Sequence, residues 1–198
     1  MEFLEFDRAW RTLSDEDVVT LTGEAPAELP ALQIDYDERR AAHRTIFAAR
    51  PDHETDVADV EVLDIPRERA GEVLEHILHK LHVAPLLILP IGRWRAVFDT
   101  VTPALTDNEQ WVAIDSAATV ELNTRDPLVC ELRDLHLLRA VVEAVLAHAE
   151  TLEQGLSIAA VQAPLLVEVE PEGGVLLTIG NESLADEVRA VARAFMDA

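Results

Sequence analysis

From Val57 to the C-terminus, short apolar runs of strand length alternate with longer segments whose apolar positions recur every three or four residues. The first pattern buries a strand and the second buries one side of a helix, so the chain must pack helices on a sheet. Val60–Ile65 alternates as a strand, and Pro66 sets the backbone for the first turn of a helix reaching His82. Pro85–Ile91 is an apolar run, followed by Gly92 and a helical segment over Arg93–Thr102; a further helix covers Asp107–Ile114. Thr119–Asn123 and Leu128–Leu132 read as strands about a turn at Thr124-Arg125-Asp126-Pro127. Asp134–Glu150 has the most regular helical period in the chain. The C-terminal stretch reads strand Leu165–Glu170, turn Gly173-Gly174, strand Val175–Ile179, then a helix over Leu184–Met196 capped by Asn181 or Ser183. Residues 58–198 are therefore expected to form an α+β domain, a mixed β-sheet with packed helices. A doubly wound α/β sheet is the alternative.

Two stretches echo one another. Val73-Leu74-Glu75-His76-Ile77-Leu78 is similar to Val141-Val142-Glu143-Ala144-Val145-Leu146, and each is followed by Ala-Pro-Leu-Leu, at 84–87 and 163–166. Arg95-Ala96-Val97 likewise matches Arg189-Ala190-Val191. An internally duplicated strand–helix–strand–helix unit is one expectation of this echo.

Residues 1–57 read as an acidic, helical N-terminal segment. Ser14 is placed to cap a helix with Asp15, Glu16 and Asp17 at its positive end. The stretch from Gly23 to Pro30 reads as a loop, and Tyr36–Ala49 as a second helix stopped by Pro51.

Charge narrows the partners. The chain carries 38 acidic and 16 basic side chains in 198 residues, a net −22, and half of that excess lies in the first 64 residues. Lys80 is its one lysine. Such a field repels nucleic acid and anionic lipid, so direct nucleic-acid binding through a basic patch is not expected. No apolar stretch approaches the length of a membrane span, and Met1-Glu2-Phe3-Leu4-Glu5 lacks the positive start of a secretion signal. A single cysteine, Cys130, suits a reducing compartment. A cytoplasmic location is the expectation. Acidity of this degree suits a basic protein partner, or else a solvent of concentrated salt.

The familiar chemical motifs are absent. There is no Walker lysine, no Gly-x-Gly-x-x-Gly and no Gly-x-Ser-x-Gly, and Asp52-x-Glu54-x-Asp56 lacks the glycine and distal glutamate of a calcium loop. Cys130 lies in an apolar run where a thiol behaves as a small hydrophobe. His76 and His79 fall opposite the apolar stripe of their helix, with His82 on its flank, so they read as a solvated face and not as metal ligands. No metal, cofactor or catalytic residue is expected.

Two places break the acidic background. Gly92-Arg93 opens a helix after a strand, where backbone amides gather anions, and Asn123, Arg125 and Asp126 form a polar cluster able to converge there. The second is the basic face of the Tyr36 helix, with Tyr36, Arg40, His43 and Arg44. Three functions follow: a non-enzymatic binding or regulatory protein using its acidic surface to meet a partner, a binder of small anions (or an enzyme of unrecognised type) at the 92–95 and 123–126 loops, or a nucleic-acid mimic. Nothing in the sequence sets an oligomeric state.

Overall fold

The computed structural model describes residues 1–14, 19–22, 33–36, 42–53, 59–118 and 126–197. The chain opens with β1 (Glu2–Phe3), α1 (Phe6–Ser14), β2 (Val19–Thr22), β3 (Gln33–Tyr36), β4 (His43–Phe47) and β5 (Val60–Leu63). Next come α2 (Ala70–Leu81), β6 (Leu86–Pro90), α3 (Trp94–Val101), α4 (Glu109–Ala118) and β7 (Leu128–Cys130). The last third is α5 (Leu135–His148), β8 (Leu156–Ala160), β9 (Leu165–Glu170), β10 (Gly174–Ile179) and α6 (Glu182–Met196).

Eight strands form one sheet in the order β1-β7-β6-β8-β9-β10-β4-β5, and β2 and β3 form a separate antiparallel pair. Every pairing in the large sheet is antiparallel except β4 with β5. The fold is α+β with a mixed sheet; a doubly wound arrangement, which needs a mostly parallel sheet, is excluded. Two strands from the first 57 residues, β1 and β4, lie in the same sheet as the strands that follow.

One face of the sheet carries the main core. Val73, Leu74, Ile77 and Leu78 of α2, Val97 and Phe98 of α3, and Ala185 and Val188 of α6 are buried there. So are Leu137, Leu138, Val141, Val142 and Val145 of α5, beside which α2 packs. Each fully buried leucine or valine of this set is worth about 1.5–3 kcal/mol of transfer free energy. The other face is narrower: Leu87 and Leu89 of β6, Ala159 of β8 and Leu166 of β9 meet Ala9 of α1.

Several ends are fixed by identifiable groups. The Asn181 side chain accepts the Leu184 amide at 3.1 Å, so Asn181, and not Ser183, caps α6. Gly174 has φ +76°, and a Cβ there would lie 2.5 Å from the Ala49 nitrogen, so the first residue of β10 must be glycine.

Two expectations for the first third are corrected. Ser14 ends α1 and does not open a helix; the burial of Ala9 seats α1 on the sheet N-terminal to that serine. Over its described residues the Tyr36–Ala49 segment is not helical. Tyr36 ends β3, and His43–Phe47 is a strand whose Thr45, Ile46 and Phe47 are buried between β10 and β5. Sheet burial of a β-branched and aromatic triplet outweighs the four-residue spacing that suggested a helix. The Thr119–Asn123 strand lies outside the described residues. The echoing segments also differ in context, since β8 stands between α5 and the second Ala-Pro-Leu-Leu whereas α2 leads directly to the first.

Candidate functional site

The Gly92 turn is built from the protein's own backbone. The Ile91 amide donates to Gly155 O at 3.0 Å, drawing the end of β6 against the loop that precedes β8. A Cβ on Gly92 would fall 2.7 Å from Glu153 Cβ and 2.8 Å from Glu153 Cα. The close approach that Gly92 permits is therefore to Glu153. Arg93, exposed and in extended conformation, precedes α3, and its side chain makes no capping hydrogen bond.

The segment at Asp126 comes to the start of α3. The Trp94 indole donates to Asp126 O at 2.8 Å. The Asp126 carboxylate accepts the Phe6 amide at 2.8 Å, holding the first turn of α1 from a position distant in sequence. Asn123 and Arg125 lie outside the described residues. Of the five residues of this candidate, the structure thus places Gly92, Arg93 and Asp126, and gives Gly92 and Asp126 structural partners.

The second candidate face is dissolved by the strand. His43 and Arg44 are consecutive in β4 and point to opposite faces of the sheet, and Tyr36 belongs to β3, paired with Val19. Arg40 lies outside the described residues. His43 and Arg44, on opposite faces of the sheet, do not share a basic stripe.

On α2, the glutamates beside the histidines are held by arginines: Glu72 by Arg69 at 3.3 Å and Glu75 by Arg139 at 3.6 Å. His76 lies on the Phe195 ring, 4.8 Å between centroids, while His79 is exposed. Among the described residues no three His, Cys, Asp or Glu side chains converge in a way that could hold a metal ion. The Cys130 thiol is fully buried, and burial, with Asp134 nearby, pushes its pKa up to about 12. A thiol so protonated is a poor nucleophile.

Two clefts among the described residues lie away from the Gly92 turn. One, of about 250 Å³, is lined by His53, Glu150, Leu152, Glu170, Pro171 and Glu172. Burial pushes the Glu170 carboxyl above its ordinary range, and His53 partly counters it. Beside Pro171 runs Arg67, whose guanidinium donates to Leu146 O, Ala48 O and Pro171 O. Those backbone partners make Arg67 a tie between elements.

The larger cleft, about 380 Å³, lies between the end of β5 and the last turns of α6. Its apolar lining is Val62, Leu63, Ile65, Ala192 and Met196, and its charged lining is Asp64, Arg193 and Asp197. Arg193 is bound to the Glu61 carboxylate, which Arg189 also meets at 2.9 Å. Asp64 and Asp197 have no ion-pair partner among the described residues. The Val60–Ile65 strand was legible in the sequence, but its place at the sheet edge was not, because strand order is a tertiary property.

No helix among the described residues is long and apolar enough to cross a membrane. Comparison with protein-family models, curated proteins and solved structures finds no match to this chain.

Proposed function

We propose that this is a non-enzymatic cytoplasmic binding or regulatory protein, whose acidic surface meets a protein partner with a basic surface. The observation that carries the reading is the net charge of −22, of which Asp64, Glu68, Asp99, Asp107 and Glu187 are among the exposed contributors. A field of this size accelerates encounter with a basic partner and rejects acidic ones. Its supporting context is that Cys130 is buried and protonated, and that Gly92 and Asp126 are engaged in packing and capping.

The competing origin of the charge is adaptation to concentrated salt, and thermal unfolding separates the two. A protein built for partner recognition keeps a nearly constant unfolding temperature from physiological to molar salt. One built for brine is held apart by self-repulsion at low salt, and its unfolding temperature climbs steeply as that repulsion is screened. A steep climb would overturn the partner reading.

A further inference from the structure

The β5 strand is the last in its sheet, with β4 on one side and no strand on the other among the described residues. Its side chains divide by alternation. Leu63 enters the core and Glu61 is held by Arg189 and Arg193 on the α6 side, whereas Val62 faces the other way. Val62 is 69% exposed, the most of any large apolar side chain among the described residues. Proteins guard such edges with proline, a lysine or a charge turned inward. Over Val60–Leu63 there is no proline or lysine, and the one charge, Glu61, is neutralised from α6.

We propose that the free edge of β5, with the cleft it forms against α6, docks an extended basic segment of a partner protein as an added strand. This rests on the acidic-partner reading above and gives it a location. Main-chain hydrogen bonds to the β5 edge supply affinity, and alternate side chains of the incoming strand supply selectivity. Apolar ones cover Val62 on the face turned away from α6, and cationic ones, on the α6 side, meet Asp64 and Asp197, which line the cleft and have no ion-pair partner among the described residues. Charge chooses the occupant. A second copy of this chain would bring another −22 and a second pair of aspartates to the same edge, so a basic strand is favoured over self-association.

The test uses a blocked peptide of about ten residues alternating arginine and valine, with arginine–glycine and glutamate–valine peptides as controls. At low salt the arginine–valine peptide is expected to bind the full chain and slow amide exchange at Val60–Leu63. Val62→Arg and the double variant Asp64→Lys/Asp197→Lys should each weaken it roughly tenfold, with unfolding temperature unchanged because these side chains lie at the surface. Equal binding to wild type and both variants, or equal binding of the arginine–glycine peptide, would overturn strand addition here and leave the acidic-partner reading standing. Failure of every cationic peptide to bind would remove both. Equal binding of the glutamate–valine peptide would refute the charge argument. A dimer that Val62→Arg abolishes would make a second copy the occupant.

Discussion

Replacing Arg67 by alanine should cost about 3 kcal/mol, and the figure can be built from its contacts. Its Nε and Nη2 donate to Leu146 O at 3.0 and 2.7 Å, Nη1 donates to Ala48 O at 3.0 Å, and Nη2 also reaches Pro171 O. Leu146 lies in the last turn of α5, where carbonyls lack a helical donor, and the Glu150 amide that would follow is taken by Gln154. Three carbonyls from α5, the end of β4 and the β9–β10 turn are thus satisfied by one cation. A hydrogen bond to a charged group is worth about 1.5–3 kcal/mol, for an upper figure of roughly 4.5–9 kcal/mol over three acceptors. Burial of the guanidinium and repulsion from Arg50 oppose it, and both hold its pKa below the usual arginine value. The side chain is only half-buried, so water replaces part of what is lost. At 2–4 °C per kcal/mol for a chain of this size, alanine should lower the unfolding temperature by about 6–12 °C. Arg67→Lys should recover less than half, because an ammonium cannot fork toward three carbonyls. Urea unfolding followed by circular dichroism reads the change as a shifted midpoint at constant slope. A loss below about 1 kcal/mol, or full recovery with lysine, would refute the assignment of Arg67 as the tie.

Gly92→Ala should destabilise by about 2 kcal/mol, since its new methyl meets the Glu153 backbone; unchanged urea stability would show that the glycine serves something other than packing. Cys130 should react with a thiol reagent only as fast as the protein unfolds, and rapid labelling under native conditions would contradict its burial. The folded state holds a proton on Glu170 more tightly than the unfolded chain does. Stability from this group is therefore present in acid and lost as pH rises from the ordinary carboxylate range through the raised pKa. Glu170→Gln should accordingly be more stable than wild type at neutral pH and equal to it in acid; a less stable variant at neutral pH would reverse the sign. His76→Ala should cost about 1 kcal/mol through the lost Phe195 contact and His79→Ala close to nothing, as compared by thermal unfolding.

The sequence was most informative where local signals agreed. The β9–β10 hairpin has alternating apolar residues on both sides of Gly173-Gly174, and α5 has an unbroken apolar stripe, so period and punctuation named both. At β4 the signals conflicted. Tyr36, Arg40, His43 and Phe47 share a four-residue spacing, while burial of Thr45, Ile46 and Phe47 depends on β10, far along the chain. β8 escaped notice because Leu156–Ala160 is buried at every position and shows no alternation. The candidate site suffered most. Gly92 and Asp126 stand out in the sequence as candidate ligand-binding positions, whereas the partners the structure gives them, Glu153 and Phe6, are remote in sequence. The docking edge at β5 depends on strand order, which no local pattern encodes.

Strand order also governs how the chain can fold while it is being synthesised. The strands made first occupy the two margins of the large sheet, and the strands made last occupy much of its middle. Phe47 pairs with Val175, and Phe3 with Leu128, so neither early strand meets its antiparallel partner until most of the chain has left the ribosome. The neighbouring strands β8, β9 and β10 are joined by short connections and can pair on emergence. Assembly should therefore proceed outward from the C-terminal third, with β1 and β4 docking onto a formed centre. Until then β1 and β4 emerge with their antiparallel partners still unmade, and the carboxylates concentrated in the N-terminal third keep nascent chains apart.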